Sequence, residues 1–373
     1  MRNELTTLSM VALFMLLPAT VSLAQDDPDP GWSYDRGLNF VSEDGSFELA
    51  VKNRTQVRLT GKNPDFGDES ASFDIARHKL QLSGRVFEDW QFGFQANLTD
   101  NENSPRALED AYFRYTAKPL AQAWVGQGKV FFGRQQLTSS ANLQFIERSI
   151  VAEEFRHGDA GSDTRDVGVA VIGQNRDRTY EYSVGLYNGN GINKDEDDNT
   201  DYMVVGRLVM TPLGEFSLNE TDLERPETSR VAIGVAARTL TEGTEAINEE
   251  RRDSTASFEV AYKIHGLNLT GEFYTRSADP PLGVPGDEED TDGWFVQGGW
   301  LFRNRCELVG RFSEILREVP NDDETEVGIG FNYYFTGHDY KLQVDYRKLD
   351  FEGVPVTPEI DRDELRVQFQ FNL

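Results

Sequence analysis

The sequence predicts an all-β protein, a transmembrane antiparallel β-barrel of about 16 strands. The first observation is the last segment, residues 365–373, in which apolar and polar residues alternate up to the carboxyl terminus. Successive strand residues face opposite sides of a sheet, so this strand has one apolar and one polar face. Such a strand fits a wall that has lipid outside and water inside.

The second observation is that the same alternation recurs along the chain. In residues 47–59, apolar side chains alternate with Lys52, Arg54, Gln56 and Arg58. About sixteen such segments can be counted, within the range of outer-membrane barrels. The segments near Trp124, Met203 and Phe295 alternate poorly.

The third observation is that short turns and long polar loops alternate between these segments, as periplasmic turns and external loops do in barrels. The stretch from Thr211 to Thr228 is an exception, because it falls on the turn side but is long. The longest connection runs from about Phe131 to Thr164 and is the third of the predicted external loops. Loops of this length in compact folds are usually functional, and we expect this one to fold into the lumen and narrow it.

The amino terminus predicts export. Residues 1–24 have the pattern of a signal peptide, with Arg2, an apolar run from Leu8 to Leu17 and a small-x-small site at 22–24. No later apolar stretch is long enough for a transmembrane helix. We therefore predict a signal peptide (1–24), an amino-terminal periplasmic lead segment (25–45) and a transmembrane barrel (46–373) in the outer membrane of a Gram-negative bacterium.

Charge is distributed unevenly. The formal net charge is −27, but acidic residues crowd into loops such as 194–201, 245–250 and 287–292. The predicted inward strand positions carry roughly twice as many basic as acidic residues. Exposed loop charges are screened beyond about 8 Å, whereas charges that line a narrow channel act on an ion at close range. The pattern therefore favours anion passage, although any single inward arginine is more readily explained by pairing with a carboxylate of the wall, so that the collective excess carries the prediction.

Several short motifs, taken in order, resemble one family. They are Asp110–Phe113 (DAYF), Val125–Lys129 (VGQGK), Leu137–Ser140 (LTSS), Phe145–Ser149 (FIERS), Arg165–Val169 (RDVGV) and Gly185–Gly189 (GLYNG). In this order and spacing they resemble the phosphate-selective porin O and P family of Gram-negative outer membranes. The resemblance implies a sixteen-stranded barrel, usually a homotrimer, with lysine and arginine at a constriction that binds phosphate or polyphosphate.

The candidate substrate-binding residues are basic. They are Lys129, Arg134 and Arg148 near the third loop, with Arg54, Arg58 and Arg114 as supporting charges on the wall. The resemblance matches Lys129 and Arg148 to basic positions of the family motifs. Arginine suits an oxyanion because its planar fork bonds two oxygens at once, whereas lysine acts as a point charge.

Three functions are open at this point. The first is a porin for passive diffusion of anions such as phosphate. The second is a porin for organic acids or sugars. The aromatic and acidic residues between Phe131 and Phe155 support this function. The third is a non-conducting structural or adhesive barrel, for which the acidic loops speak.

Other classes of function have little support. The four histidines have no paired spacing for a metal and no nucleophile setting, so we predict no metal, no cofactor and no enzyme activity. The single cysteine, Cys306, offers no internal disulfide. The expected partners are outer-membrane lipid and lipopolysaccharide, small anions and further copies of the chain, but no nucleic acid. Trp90, Trp124 and Trp300 are candidates for the aromatic girdles at the membrane interfaces.

Overall fold

The computed structural model describes residues 31–34, 36–64, 69–100, 107–157, 164–194, 201–242, 251–279, 289–318, 322–353 and 361–373. The predicted signal peptide, residues 1–24, and the acidic segment 245–250 lie outside these described residues. Eighteen strands of the described chain form one sheet. The strands are β1 (Trp32–Tyr34), β2 (Leu38–Val41), β3 (Phe47–Pro64), β4 (Ser70–Val86), β5 (Trp90–Asn97), β6 (Ala107–Tyr115), β7 (Gln122–Lys129), β8 (Arg165–Gln174), β9 (Tyr180–Tyr187), β10 (Met203–Met210), β11 (Arg230–Glu242), β12 (Arg251–Ile264), β13 (Leu267–Ala278), β14 (Glu289–Phe302), β15 (Cys306–Arg317), β16 (Asp322–Thr336), β17 (Tyr340–Gly353) and β18 (Arg362–Asn372).

Strands β3 to β18 close a barrel. Each pairs antiparallel with the next, and β18 returns to β3 in a register that runs from Arg362↔Pro64 to Asn372↔Arg54. Closure leaves no unpaired edge strand among the described strands of the wall. The predicted antiparallel barrel of sixteen strands is confirmed. Within the predicted lead segment, β1 and β2 form a hairpin that pairs with the first residues of β3.

The wall is inverted relative to that of a soluble protein. On β18 the polar side chains of Glu364, Arg366, Gln368 and Gln370 are buried inside, as the alternation predicts. On the outside, Val184 and Ile329 are 55% and 62% exposed. The outer face is therefore apolar and suited to lipid, whereas the inner face is polar. The girdle prediction is wrong for Trp124, which is 5% exposed and points into the barrel.

The connections alternate in length as predicted. A two-residue turn, His265-Gly266, joins β12 to β13 with positive φ at both residues, as a tight hairpin requires. Strands β5 to β10 have 8 to 10 residues, whereas β11 to β17 have 12 to 15. The third loop, residues 130–164, connects β7 to β8, which belong to the group of shorter strands.

Two connections fold into the lumen. The third loop, described at 130–157 and 164, contains α1 (Arg134–Leu137) and α2 (Ile150–Glu154). Ser149 caps α2 by accepting a hydrogen bond from the Ala152 N–H at 3.0 Å. The second connection, residues 211–229 between β10 and β11, is called the inner turn below; it bonds to the third loop. No helix in the described ranges is long and apolar enough to span a membrane.

Candidate functional site: the third loop inside the barrel

One side of the third loop is held to the wall by apolar packing. Phe132, Val151 and Phe155 are fully buried against inward side chains of the wall, and we call this contact the apolar anchor. The Phe155 ring stacks on Tyr274 of β13, with ring centroids 5.1 Å apart and planes inclined by 17°. The wall members of the anchor are Trp124, Ala170, Tyr187, Met203, Val205, Ala236, Leu240, Tyr274, Phe295 and Ile315. Burial of these apolar side chains fixes the loop against the wall from β7 to β15.

The other side of the loop is held by hydrogen bonds, which we call the polar anchor. The Leu143 carbonyl accepts from Lys341 Nζ at 3.0 Å and from Gln343 Nε2 at 3.2 Å, both on β17. The Ile146 N–H donates to Asp345 Oδ2 at 2.9 Å. Here the loop backbone receives its partners from inward polar positions of the strands, as buried backbone groups require.

The inner turn supports the third loop through a carboxylate. Glu220 accepts hydrogen bonds from the Gln144 N–H at 2.7 Å and from Gln135 Nε2 and Gln297 Nε2, each at 2.8 Å. Its own N–H donates to the Asn142 carbonyl at 3.1 Å. The connection is long because it rises into the barrel, which explains the one exception to the alternation of loop lengths.

A loop carboxylate bridges two arginines of the wall at the polar anchor. Glu147 Oε1 lies 2.5 Å from Arg58 Nη2, and its Oε2 lies 2.7 Å from Arg77 Nη2. Burial alone raises the pKa of Glu147, but the charges of Arg77 and Arg58 outweigh burial and hold it well below the usual range. The carboxylate is therefore ionised and locks this part of the loop to β3 and β4.

A second loop carboxylate is held in the same way near the apolar anchor. Glu154 Oε1 lies 2.6 Å from Arg276 Nη2, and its Oε2 lies 3.0 Å from Arg317 Nη2. Burial opposes ionisation here too, but both arginines lower the pKa of Glu154 below its usual value. Each anchor thus carries one carboxylate shared by two wall arginines.

Two of the candidate residues donate to carbonyls of the third loop. Lys129 Nζ bonds the carbonyls of Gln136 at 2.6 Å and Thr138 at 3.0 Å. Arg148 is 4% exposed, and its guanidinium bonds the carbonyls of Gln135 and Thr138, each at 3.0 Å. Both side chains therefore hold the fold of the loop around α1.

Arg134, the first residue of α1, is directed at the inner turn. Its Nη2 donates to the Ser217 carbonyl at 2.7 Å, and its guanidinium lies 4.7 Å from the centre of the Phe216 ring. Its backbone N–H and that of Gln135 donate to the two oxygens of Glu272 at 2.9 and 2.8 Å. The loop is thereby tied to β13 at the start of the helix.

The three wall candidates differ in their surroundings. Arg54 Nη1 donates to Ser139 Oγ at 3.0 Å, and Arg58 bonds Glu147 as described. Arg114 Nε has no hydrogen-bond partner, and no ion pair of Arg114 is found within the described ranges. Five of the six candidates therefore contact the third loop or the inner turn, while Arg114 stands apart on β6.

Arg114 faces a cavity of about 380 Å³ between the third loop and the wall of β6 to β10. The cavity is lined by Asp110, Tyr112, Arg114, Trp124, Gly128, Lys129, Phe131, Leu137, Ile172, Glu181, Tyr182, Ser183, Arg207 and the inner-turn residue Leu218. Three cations thus face two carboxylates. Asp110 is bonded by Arg165 Nε at 2.8 Å, and Glu181 by Arg207 Nη1 at 3.0 Å.

The buried charged side chains are balanced in number. Eleven basic and eleven acidic side chains are buried among the described residues. The predicted basic excess is therefore not found in this buried set, because the alternation of strand residues does not identify several of the buried acids as inward-facing. Glu109 turns inward at a register shift in β6, and Glu220 lies on the inner turn. Within the same described residues, no group of three or more His, Cys, Asp or Glu is placed to hold a metal ion.

The barrel is similar to solved structures of outer-membrane channels. One is the anion-selective porin of Comamonas acidovorans, with a TM-score of 0.67 and 9% identity over 88% of this chain and 100% of that chain. Another is the outer-membrane channel DcaP of Acinetobacter baumannii, with 0.61 and 12% over 89% and 99%. A third is OmpT of Vibrio cholerae in a trimer form, with 0.55 and 12% over 87% and 99%. Identities this low support the fold alone.

A comparison with curated proteins finds no match. The family model described as phosphate-selective porin O and P, however, matches residues 49–373, which is the barrel from the third residue of β3 to residue 373. Together with the closed sixteen-stranded wall and the inserted third loop, this match shows that the chain is an outer-membrane porin and belongs to the phosphate-selective porin O and P family.

Proposed function

We propose that this porin lets small anions, phosphate in particular, diffuse passively across the outer membrane. The route is the cavity between the third loop and β6 to β10. The family name supports the choice of phosphate, and the charge of the cavity supports the choice of anions. Passage needs no energy source, because the charges of the cavity attract the anion at close range and the anion then leaves down its concentration gradient.

The observation that carries the proposal is the cationic lining of this cavity. Arg114, Lys129 and Arg207 face it. Of its two carboxylates, Asp110 is bonded by Arg165 from outside the cavity, and Glu181 is bonded by Arg207, so the lining keeps an excess of positive charge. Arg114 in particular leaves its guanidinium fork available to a permeating oxyanion, because no carboxylate of the described chain pairs with it.

The reversal potential in a salt gradient tests the proposal. Wild-type protein in planar bilayers is expected to prefer chloride over potassium, and added phosphate is expected to reduce the chloride current. Arg114→Ala should lower the ratio of anion to cation permeability about threefold, because one cation close to the path is lost. Arg176→Ala removes the same charge from an exposed turn between β8 and β9 and should leave the ratio unchanged. A wild-type channel that prefers cations would contradict the proposal.

A second candidate is passage of organic acids or sugars. Tyr112, Trp124 and Phe131 line the same cavity, and the Trp124 ring lies 5.7 Å from Tyr112 and 5.9 Å from Phe131. Aromatic faces suit carbon-rich solutes. Liposome swelling with neutral sugars separates the two, since an anion route predicts slow swelling. A folded protein that gives no single-channel steps would instead favour the non-conducting barrel.

We further propose export by the signal peptide 1–24 and assembly as a homotrimer in contact with lipid and lipopolysaccharide. The trimer form of OmpT, a relative in fold, supports the assembly. The apolar outer face supports the lipid contact. Light scattering of the detergent complex should give three chains per particle, and a single-chain mass would contradict the trimer.

A further inference from the structure

The amino-terminal hairpin of β1 and β2 extends the sheet past the end of β18. The last residue of the chain, Leu373, donates its N–H to the Asn53 carbonyl at 2.7 Å, whereas β3 already begins at Phe47. On the side where β18 has ended, β2 pairs with residues 48–51 of β3. The hairpin therefore lies at the end of the barrel that carries the short turns.

The pairing directs one face of the hairpin outward. Odd-numbered residues of β3 face outward, because the even-numbered ones carry the inward polar side chains. Directly paired strand residues point to the same side of a sheet. Val51 pairs with Leu38, and Leu49 pairs with Phe40. Residues of β1 that pair with these two point outward as well, so the outward side chains, which we call the hairpin face, are those of Trp32, Tyr34, Leu38 and Phe40.

The hairpin face is exposed and rich in aromatic rings. Trp32, Tyr34 and Leu38 are 58%, 49% and 53% exposed. The opposite face of the hairpin carries the polar residues Ser33 and Asn39. Apolar side chains gathered on one exposed face mark a contact surface. Trp and Tyr combine an apolar ring with a polar group, and they collect where a membrane meets water.

The neighbouring wall carries an aromatic row at the same end of the barrel. Phe47 of β3 pairs with Val86 of β4. Trp90 follows on β5 and Tyr115 on β6, with their ring centroids 5.1 Å apart. Phe40 continues the row into the hairpin, because its ring lies 6.0 Å from that of Phe47. Aromatic rows of this kind lie at the membrane interface of barrels, so the hairpin face is at the level of that interface.

A cation stands at the turn of the hairpin. Arg36 is 74% exposed, and its Nε lies 3.9 Å from Asp339 in the turn between β16 and β17. A guanidinium beside exposed aromatic rings suits a lipid surface, where phosphate groups lie next to acyl chains. The family match begins at residue 49 and does not include the hairpin.

We propose that the hairpin is an interfacial anchor, whose face binds the phospholipid headgroup region beside the short turns. The partner is a lipid surface and not a second copy of the chain, because the hairpin face continues the apolar outer face of β3. The anchor holds the seam between β3 and β18 at the membrane. This inference rests on the proposed contact of the barrel with lipid and adds an element outside the closed wall.

The test is the quenching of a fluorescent cysteine label by spin-labelled phospholipids. The protein, in a Cys306→Ser background, is reconstituted into vesicles of phosphatidylethanolamine and phosphatidylglycerol. A label at Tyr34→Cys should be quenched at least about threefold more strongly than one at Ser33→Cys, the neighbouring position on the opposite face. Equal quenching at the two positions, or none at residue 34, would overturn the inference.

A label at Phe258→Cys, on the exposed outer face of β12, separates this inference from the lipid contact of the barrel. Quenching at residue 258 without quenching at residue 34 overturns the anchor alone, whereas no quenching at either position removes the lipid contact as well. A second copy bound to the hairpin face would shield residue 34 from lipid and let two Tyr34→Cys chains form a disulfide on oxidation, and that outcome also overturns the anchor.

Trp32 supplies a measurement without a label for the case in which the cysteine variants fail to fold. Trp32→Phe keeps an aromatic ring, so the difference in fluorescence between wild type and Trp32→Phe isolates the emission of Trp32. Bromine atoms near the lipid glycerol should quench this difference at least about twofold more than bromine atoms near the chain ends. Quenching by aqueous acrylamide and by neither brominated lipid would overturn the inference.

Discussion

The two anchors of the third loop hold it by different means. At the apolar anchor a few large side chains, such as Phe132 and Phe155, fill the space against the wall. At the polar anchor many hydrogen-bond donors hold the loop, since the Leu143 carbonyl alone accepts from both Lys341 and Gln343. Apolar packing concentrates the docking energy in single residues, while the hydrogen bonds spread it out. Single substitutions should therefore have unequal effects at the two anchors.

The largest effect is expected at the apolar anchor. Phe155→Ala removes a fully buried ring that stacks on Tyr274, and truncation of a buried phenylalanine costs about 3–5 kcal/mol. The backbone N–H of residue 155, which bonds the Val151 carbonyl at 3.0 Å, should exchange with solvent at least about 100-fold faster. Hydrogen-exchange mass spectrometry of the detergent-solubilised barrel measures this rate.

The control for this variant is Phe258→Ala, which makes the same truncation on the outer face of β12, where Phe258 is exposed. It should leave exchange in the third loop unchanged. Equal acceleration in both variants would mean that the loop responds to the barrel as a whole and not to its anchor.

A smaller effect is expected at the polar anchor. Gln343→Leu removes one donor to Leu143 and one to Gln144, but other donors to both carbonyls remain. A single hydrogen bond contributes about 1 kcal/mol, so exchange of the Ile146 N–H should accelerate only about fivefold. Gln81→Leu on β4 changes the same atoms away from the loop and serves as the control. An acceleration as large as that of Phe155→Ala would contradict the difference between the anchors.

Much of the fold follows from local pattern. Alternation over 365–373 predicts the closing strand, because a residue's side in a strand depends only on its position. The third loop is recognised by its length. The long stretch from Thr211 to Thr228 stands out as an exception, and the structure shows that it is an insertion into the lumen.

The poorly alternating segments carry information that local pattern does not explain. Trp124, Met203 and Phe295 all point inward and all belong to the apolar anchor. The alternation rule assumes that water lines the lumen. A strand with an inward aromatic residue therefore matches the rule poorly, and the reason becomes clear only when the third loop is seen to pack against that residue. Contacts between a loop and a distant strand depend on the tertiary fold, and no spacing in the sequence encodes them.

The candidate site was predicted in residue type more than in role. Lys129, Arg134 and Arg148 do lie at the third loop, but they bond its carbonyls and those of the inner turn. The pairing of Arg58 with Glu147 joins residues 89 positions apart and could not be found from spacing. The roles of all six residues in anion binding remain predictions.

The central claim is that anions pass between the third loop and β6 to β10 and not behind the loop. Two serines test it with matched changes in a Cys306→Ser background: Ser183→Cys in the cavity, and Ser313→Cys on β15, where Ser313 is fully buried against Glu326. The measurement is the rate at which a negatively charged thiol reagent reduces the current. The account predicts that Ser183→Cys reacts at least about tenfold faster than Ser313→Cys, and faster with an anionic than with a cationic reagent. Equal rates at the two positions, or faster reaction with the cationic reagent, would contradict it.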